Sequence, residues 1–464
     1  MSVYKPCDIR GPVADLSPDL YRRWGISLGR QVAPGSDFIV GGDVRTSTPV
    51  FRDALVEGLK VFGVNILDLG VVPTPMVYFA RRLTRAAGCA IVTASHNPPD
   101  VNGLKWMIGP RPPEEADVRR LEAESTAPAS QEGRTGRGAH RALDVREPYA
   151  QWIEAQFAAS PKPAHVSVTV DPGNGCWANL AGGFLTALFP EVRFATIHDR
   201  RDGMFPDRGA DCSRPNHLGA LAHEVVARQD ALGIAFDGDG DRVAFVDDRG
   251  TCLSPEETTH ILLHSFNDAL RGAGFVHDVK FSDRVGETAR RLGATVWPER
   301  SGHAFIRQRI LDTNALFGAE VSGHYFYGAL DSCDDGLYTA CRLLCHLAAR
   351  RRPLSALREA CPPVYMTPDL RLSLPAEARA RALDGIRSAF AGQPQQSIDG
   401  VRIDFPTGWA LVRASVTESA LTFRFEADSE AGLDHLVGLF CPRSGDLGNQ
   451  IESQYDQWRR SAQD

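Results

Sequence analysis

The sequence predicts an α/β fold: three topologically similar α/β repeats with mixed, largely parallel sheets, followed by a smaller α+β domain. The same order of short apolar strand, acidic loop, helix and second strand occurs three times along the chain. The C-terminal region instead alternates apolar with polar residues. The length of 464 residues is too great for one core and suits three or four domains.

Each repeat begins with an apolar strand that runs into an acidic loop. The predicted strand, helix and second strand are 38–43, 50–62 and 64–67 in the first repeat, 166–171, 177–188 and 192–195 in the second, and 279–283, 285–292 and 294–297 in the third. A further strand follows in each repeat, at 89–93, 233–236 and 315–318. Because ligands bind beyond the carboxyl ends of parallel strands, we expect the three loops after these further strands to converge on one central cleft.

The C-terminal region has a different pattern. Residues 401–405, 409–413 and 421–425 alternate apolar and polar side chains, as a half-buried antiparallel sheet does. Residues 128–140 are rich in Ser, Gly, Pro and Arg, which is typical of a loop. The predicted domains are 1–148, with the serine loop, 149–253, with an acidic loop, 254–366 and 367–464.

The composition is that of an ordinary globular protein, with 43% hydrophobic and 23% charged residues. A net charge of −7 without a long basic run argues against a nucleic-acid partner, and no apolar run suits a membrane span. Residues 1–8 lack the apolar core of a signal peptide. The 10 cysteines are scattered, and the nearest pair, Cys341 and Cys345, is expected to pack on a helix rather than bind zinc. We expect a cytoplasmic protein.

Two short segments carry the chemistry. In Ala94-Ser95-His96-Asn97-Pro98, the Ser95 hydroxyl is either a phosphoryl-carrying nucleophile or a turn serine bonded to its own backbone. In Asp237-Gly238-Asp239-Gly240-Asp241-Arg242, three alternate carboxylates and two glycines favour a Mg²⁺ site. The alternatives are an exposed acidic turn or an EF-hand loop, which would need glycine where Arg242 stands. Together the segments indicate phosphoryl transfer through a phosphoserine, since phosphate oxygens need a neutralising cation.

The chain resembles the α-D-phosphohexomutase superfamily, and most closely its bacterial phosphomannomutase/phosphoglucomutase members. The resemblance runs nearly end to end. Its motifs are Cys7-Asp8-Ile9-Arg10-Gly11, Gly42-Asp43-Val44-Arg45, Val72-Pro73-Thr74-Pro75, the serine loop through Asn102-Gly103-Leu104-Lys105, Asp171-Pro172-Gly173-Asn174-Gly175, the acidic loop, Ser301-Gly302-His303, Glu320-Val321-Ser322-Gly323-His324, Asp334-Asp335-Gly336 and Arg413-Ala414-Ser415-Val416-Thr417-Glu418. The family implies four domains around a deep central cleft.

The resemblance assigns the catalytic residues. It implies that Ser95 is phosphorylated in the active enzyme and that one Mg²⁺ is held by Ser95 together with the three aspartates, Asp237, Asp239 and Asp241. It places Arg242 against the phosphoserine, Arg10 and Lys105 near it, and His303 near the substrate. The residue that moves protons stays unassigned.

The resemblance also assigns the binding loops. In the family, the loop of Glu320, Ser322 and His324 reads the 3- and 4-hydroxyls of the sugar; without the family, a polar strand edge explains it as well. Arg413, Ser415 and Thr417 form the expected anchor for the phosphate that is not reacting. Here the chain departs from the family pattern, because Val416 replaces Asn and Ser419 replaces Pro.

The implied activity is the interconversion of hexose 1-phosphate and 6-phosphate (mannose, glucose or both) through a 1,6-bisphosphate intermediate. Glucose 1,6-bisphosphate is the implied activator, and sugar phosphates bound by a monomer or dimer are the implied partners. One alternative is a phosphoglucosamine mutase, whose loop usually carries Gln at the position of Val321. A serine phosphatase of the alkaline type would need histidine-rich zinc sites. A catalytically weak sugar-phosphate-binding paralogue is favoured only by Val416 and Ser419.

Overall fold

The computed structural model describes residues 2–126, 138–415 and 419–461. It has four domains: three α/β domains that share one sheet plan and a C-terminal domain with an antiparallel sheet. In each of the first three sheets, one central strand lies between two parallel neighbours, and one of these neighbours also pairs with an antiparallel strand. This common plan confirms the three predicted repeats.

Domain 1 adds an edge strand on each side of that plan, in the order β1-β5-β4-β2-β3-β6. Its strands are β1 (Ile9–Pro12), β2 (Asp37–Gly42), β3 (Asn65–Val71), β4 (Gly88–Val92), β5 (Val101–Ile108) and β6 (His140–Ala142). Its helices are α1 (Pro18–Arg30), α2 (Thr48–Lys60), α3 (Thr74–Thr84) and α4 (Glu115–Thr126), and α5 (Arg146–Gln156) leads into domain 2. Residues 128–137 of the predicted loop lie outside the described residues, and its last residue, His140, begins β6.

Domains 2 and 3 keep to the four-strand plan. Domain 2 contains β7 (Ser167–Asp171), α6 (Ala181–Leu188), β8 (Arg193–Thr196), α7 (Gly219–Arg228), β9 (Leu232–Phe236) and β10 (Val243–Asp247). Domain 3 contains α8 (Pro255–Ser265), β11 (Gly274–Asp278), α9 (Asp283–Arg291), β12 (Thr295–Glu299), α10 (His303–Thr313), β13 (Phe317–Ala319), β14 (Tyr325–Tyr327), α11 (Gly336–Arg350) and α12 (Leu354–Arg358). Cys341 and Cys345 are buried on α11, which confirms their predicted packing.

One predicted strand is wrong. Residues 279–283 are not the first strand of the third repeat, because β11 ends at Asp278 and α9 begins at Asp283. The side chain of Ser282 accepts a hydrogen bond from the backbone N–H of Arg284 and so caps the helix, which leaves no room for a strand. Val279 and Phe281 are buried in the connecting turn, and their alternation imitated a strand.

Domain 4 is the predicted smaller α+β unit. It contains β15 (Tyr365–Met366), β16 (Leu370–Ser373), α13 (Ala376–Ala389), β17 (Gln395–Gln396), β18 (Val401–Phe405), β19 (Gly408–Ala414), β20 (Ala420–Ala427), α14 (Glu430–Phe440) and α15 (Gly448–Ser461). All its strand pairs are antiparallel within the described residues, and the sheet packs on its own apolar cluster. None of the helices in the described ranges is long and apolar enough to cross a membrane.

One apolar core runs through the first three domains and fixes their sheets relative to one another. It joins Tyr149 of α5 and Trp177 of domain 2 to Tyr338 of α11. Trp409 and Leu411 of β19 pack on Val279 and join domain 4 to domain 3. The shared core brings the loops after β4, β9 and β13 to one place.

Candidate active site

The serine loop of domain 1 meets the acidic loop of domain 2. Ser95 follows β4 and Asp237 follows β9, which are equivalent strands of the two sheets. The Oγ atom of Ser95 donates a hydrogen bond to Oδ2 of Asp237 at 3.0 Å, and both side chains are buried. The predicted convergence of these two loops is therefore present.

Three carboxylates surround that contact. The carboxylate oxygens of Asp237, Asp239 and Asp241 lie within 4.8 Å of one another. Within the described residues, Oδ1 of Asp239 and Oδ1 of Asp241 are buried without a hydrogen-bond partner. Burial, with the adjacent charges of Asp239 and Asp241, raises the pKa of Asp237 well above its ordinary value. Buried carboxylate oxygens that lack donors fit a hard divalent cation such as Mg²⁺.

Lys105 from β5 enters the same cluster. Its Nζ atom donates to Oδ2 of Asp239 at 2.8 Å and also to Oδ2 of Asp241. Burial opposes the charge of Lys105, but Asp239 and Asp241 outweigh it and hold its pKa well above the ordinary value. One ammonium group faces three buried carboxylates, and ionisation of all three would require further positive charge.

Arg242 connects the acidic loop to domain 3. Its Nε atom donates to Nε2 of His324 at 2.9 Å, and Nδ1 of His324 lies 2.6 Å from Oδ2 of Asp334. Because an arginine N–H only donates, Nε2 of His324 must accept, which assigns the ring proton to Nδ1. Burial and the nearby charge of Arg242 lower the pKa of His324 although Asp241 opposes this, so the ring is neutral.

That geometry gives His324 a supporting position. Its side chain is only 2% exposed, and both ring nitrogens face the protein groups Arg242 and Asp334 or Asp241. The prediction that His324 contacts the sugar stays a prediction. Its proton on Nδ1 also argues against a metal ion between Asp241, His324 and Asp334, although their ligand atoms cluster.

Arg10 and His303 share one carboxylate at the start of the chain. Nε of Arg10 donates to Oδ2 of Asp8 at 2.7 Å, and Nε2 of His303 lies 3.7 Å from the same oxygen. Burial opposes ionisation of Asp8, but Arg10 and His303 lower its pKa below the ordinary range. Asp8 thus joins one candidate from domain 1 to one from domain 3.

Glu320 and Ser322 lie on the tight loop between β13 and β14. The loop closes through the backbone N–H of Gly323, which donates to the carbonyl of Glu320, and Gly323 has a φ of 88°. Among the described residues, Oε2 of Glu320 and Oγ of Ser322 are buried without a hydrogen-bond partner. Burial and the nearby Asp278 raise the pKa of Glu320. Each of these two oxygens therefore retains unused hydrogen-bonding capacity, and the prediction that the loop binds the sugar stays a prediction.

Arg413 and Ser415 are the members of the candidate phosphate anchor that the structure describes. Its Nε atom donates to Oδ2 of Asp399 at 2.6 Å, and that oxygen also accepts from the backbone N–H of Ser301 at 3.3 Å. Nη2 of Arg413 is buried without a hydrogen-bond partner in the part of the chain that the structure describes. The backbone N–H of Ser415 donates to the carbonyl of Ala420. Val416 and Thr417 lie outside the described residues.

Sequence reasoning missed four residues of this site. Asp43 and Arg45 support the serine loop, and Asp334 supports His324. Nδ1 of His96 lies 3.3 Å from Oγ of Ser95, and burial followed by the charge of Arg242 lowers the pKa of His96. All four stand inside the motifs that carry the family resemblance, so their positions in those motifs were the available signal.

Comparison with known proteins gives matches along nearly the whole chain. Models of phosphoglucomutase/phosphomannomutase alpha/beta/alpha domains I, II and III match residues 3–130, 147–250 and 254–365, and the C-terminal domain model matches residues 370–440. A Pseudomonas aeruginosa phosphomannomutase/phosphoglucomutase is 33% identical over 447 residues, which cover 95% of this chain and 94% of the relative.

Two further matches agree. A phosphoglucomutase from Neisseria gonorrhoeae is 31% identical over 451 residues, which cover 94% of this chain and 95% of the relative. The solved structure of a Burkholderia thailandensis phosphoglucomutase/phosphomannomutase family protein has a TM-score of 0.86 and 30% sequence identity, and covers 96% of this chain and 97% of that chain.

Proposed function

Because the chain belongs to the phosphoglucomutase/phosphomannomutase family, we propose that it interconverts hexose 1-phosphates and hexose 6-phosphates through a phosphoserine at Ser95. One observation carries this proposal: the 3.0 Å hydrogen bond from Oγ of Ser95 to Asp237 sets the hydroxyl at a buried cluster of three carboxylates. Burying three carboxylates beside a serine hydroxyl costs stability unless positive charge offsets them. A phosphoryl group that is transferred at Ser95 with a bound cation gives this arrangement a function.

Ser95, Asp237, Asp239 and Asp241 are the residues that would hold one Mg²⁺. When bound, the ion neutralises phosphate oxygens and polarises the phosphoryl group. The chain contributes the rest of the positive charge. Arg242, held by its hydrogen bond to His324, presents a guanidinium beside the phosphoserine position.

The transfer breaks the bond between phosphorus and Oγ of Ser95 and forms one to a free sugar hydroxyl. The leaving Oγ takes up a proton, and the attacking hydroxyl loses one. Asp239 and Asp241 keep Lys105 protonated. Lys105 is therefore suited to donate a proton to the leaving Oγ and unsuited to accept one from the attacking hydroxyl. In the second half of the reaction, the other phosphate of the bisphosphate returns to Ser95.

The substrate is held at both ends. Glu320 and Ser322 would bind vicinal sugar hydroxyls with their otherwise unpartnered oxygens. Arg413, with Ser415 and Thr417, would hold the phosphate that is not reacting, with the buried Nη2 atom of Arg413, which has no partner among the described residues, as one donor. Because the bisphosphate must present either end to Ser95, this anchor accepts both the 1-phosphate and the 6-phosphate.

Mannose and glucose phosphates are the proposed substrates, with glucose 1,6-bisphosphate as activator. The names of the two bacterial relatives above support this choice over glucosamine phosphate and over a mere binding protein. A reducing, cytoplasmic location is supported by the cysteines, all of which are free thiols. A monomer suffices for the proposed chemistry, because every proposed residue comes from one chain.

The test is turnover of purified protein with Mg²⁺ and a trace of glucose 1,6-bisphosphate. Mannose, glucose and N-acetylglucosamine 1-phosphates are each followed to their 6-phosphates, beside Ser95→Ala. We expect turnover of mannose or glucose phosphate that falls by at least about a thousandfold in Ser95→Ala. Faster turnover of the N-acetylglucosamine compound would favour the glucosamine alternative, and turnover that survives in Ser95→Ala would contradict the phosphoserine.

A further inference from the structure

The nucleophile loop is held in an unfavourable backbone conformation. Ser95 has a φ of 54°, in the left-handed region that side chains with a Cβ atom seldom adopt. This conformation directs Oγ at Asp237. Strain of this kind persists only where the surroundings enforce it, so other groups must fix the loop.

The carboxylate of Asp43, directly after β2, is the centre of those surroundings. Its Oδ2 atom accepts from Oγ1 of Thr93 at 2.7 Å, and Oγ1 of Thr93 in turn accepts from the backbone N–H of Ser95 at 2.9 Å. Its Oδ1 atom accepts from Oγ1 of Thr48 at 2.7 Å. The backbone N–H of Ser95 is thereby linked, through the hydroxyl of Thr93, to the buried carboxylate of Asp43.

Arg45 holds the other end of the same residue. Its Nη1 atom donates to Oδ2 of Asp43 at 2.6 Å, and its Nη2 atom donates to the carbonyl of Ser95 at 3.1 Å and to the carbonyl of Asn97. The side chain of Arg45 is fully buried. Ser95 therefore lies between the hydroxyl of Thr93 and the guanidinium of Arg45, both of which bond to Asp43.

Domain 2 covers this arginine. The guanidinium carbon of Arg45 lies 5.0 Å from the ring centroid of Phe205, which is within the range of a cation–π contact. A Cβ atom added to Gly203 would lie 2.7 Å from Cα of Arg45, so this glycine permits the close approach. The domain that supplies the three aspartates thus also closes over the support of the serine loop.

We propose that Arg45, with Asp43 and Thr93, is a positioning residue that holds Ser95 in its left-handed conformation and so aims the phosphoryl-carrying oxygen at the carboxylate cluster. The inference rests on the proposed function only for its kinetic readout. The side chain of Arg45 is fully buried, and its Nη1 and Nη2 atoms donate to Asp43 and to the carbonyls of Ser95 and Asn97.

Arginine is required here because its donors form a planar fork. One fork reaches two backbone carbonyls and a carboxylate at once, whereas a lysine ammonium is a compact charge that cannot match this geometry. In Arg45→Lys the charge beside Asp43 remains, but the carbonyl of Ser95 loses its donor. We expect φ of Ser95 to relax to a negative value and Oγ to leave Asp237.

The kinetic test compares Arg45→Lys and Thr93→Val with Arg307→Lys. Arg307 is an equally buried arginine that lies over Tyr78 and contacts the sulfur atoms of Met107 and Cys333. We expect kcat to fall by about tenfold to a hundredfold in Arg45→Lys and Thr93→Val while KM stays within about threefold, because the sugar loop and phosphate anchor are untouched. Arg307→Lys should lower the melting temperature and leave kcat per folded molecule near wild type.

Two results would overturn the inference: kcat of Arg45→Lys within about twofold of wild type, or an equal loss of kcat in Arg307→Lys. A crystal structure of Arg45→Lys decides the matter without any assay. A positive φ at Ser95 and an unchanged contact with Asp237 would contradict the inference even if no sugar phosphate is turned over. Failure of the wild-type enzyme to turn over any sugar phosphate would instead reject the proposed function.

Discussion

The ammonium group of Lys105 lies 2.8 Å from Oδ2 of Asp239, inside the cluster of carboxylates that is proposed to hold Mg²⁺. The two side chains come from different domains, so their contact also joins domain 1 to domain 2. Two further aspartates, Asp237 and Asp241, share the site, and Arg242 lies 3.8 Å from Asp237. Because Lys105 is a buried counter-charge of these carboxylates, we expect it to stabilise the fold when no metal ion is bound.

Removal of that ammonium group should make stability depend more strongly on Mg²⁺. In Lys105→Met the buried carboxylates lose their counter-charge, and we expect the free energy of unfolding without Mg²⁺ to fall by about 3 kcal/mol. Mg²⁺ should restore more stability in this variant than in wild type. Urea unfolding with and without Mg²⁺ measures both. The control is Lys280→Met, which removes an ion-pair partner of Asp369 instead. If Mg²⁺ raised the free energy of unfolding equally in Lys105→Met and Lys280→Met, the prediction would be wrong.

Loss of one carboxylate should weaken metal binding. Asp241→Asn replaces a charged ligand that has an unpartnered buried oxygen with a neutral amide. We expect the dissociation constant for Mg²⁺, measured by isothermal titration calorimetry, to rise by about a hundredfold. Asp268→Asn is the matched control, because the side chain of Asp268 is 99% exposed. Equal Mg²⁺ affinities in wild type and Asp241→Asn would show that Asp241 does not bind the metal. Separately, removal of Mg²⁺ with EDTA should abolish turnover, and added Mg²⁺ should restore it.

The sugar loop should act on substrate affinity. In Glu320→Ala the sugar hydroxyls lose a buried, charge-assisted acceptor, and we expect KM to rise by about tenfold to a hundredfold. Ser322→Ala should raise KM less, by about threefold, since a neutral hydroxyl makes a weaker bond. Steady-state kinetics with glucose 1-phosphate provide the measurement, with Glu287→Ala on the exposed face of α9 as the control. An unchanged KM in Glu320→Ala would remove Glu320 from the sugar site.

The stability of domain 3 should fall as pH rises through the titration of Asp335. Burial raises the pKa of Asp335 to about 7, although the N–H of Tyr338 and the hydroxyl of Tyr149 favour the ionised form. The unfolded carboxyl titrates near pH ~3.9, so between these values the folded protein binds the extra proton and the free energy of unfolding decreases as pH increases. Above the folded pKa this dependence ends.

Asp335→Asn removes that proton uptake. From about pH 5 to about pH 7, we expect the variant to lose about 2 kcal/mol less unfolding free energy than wild type. Urea unfolding across this range tests the prediction, and Asp268→Asn should behave as wild type does. Parallel curves for Asp335→Asn and wild type would show that Asp335 is not the titrating group.

The sequence was most informative where polar residues are dense and local. Ser95 and the three aspartates stand in short motifs, and the ends predicted for the apolar strands before them agree with the ends of β4 and β9 to within one residue. The alternation at 401–405 coincides with β18. At Val279 and Phe281 the alternation of apolar and polar residues predicted a strand that is absent, because a buried turn places apolar side chains inward just as a strand does.

The sequence was least informative about which side chains bond to one another. Nothing local indicates that Lys105 bonds to Asp239, since the two are far apart in the chain and are brought together by the shared core of domains 1 and 2. Arg45 has the same limitation: its fork reaches Ser95 only because β2 and β4 are parallel neighbours in the sheet. Which polar residue supports another is decided by tertiary packing.

Ser95 is proposed to carry the phosphoryl group between enzyme and sugar. The most direct measurement incubates the protein with Mg²⁺ and glucose 1,6-bisphosphate, locates the added phosphate by intact mass and peptide mapping, and then adds excess glucose 6-phosphate. We predict one phosphate per chain, on Ser95, that moves to the sugar as bisphosphate when glucose 6-phosphate is added. Phosphate on another residue, or phosphate on Ser95 that glucose 6-phosphate cannot remove, would contradict phosphoryl transfer through Ser95.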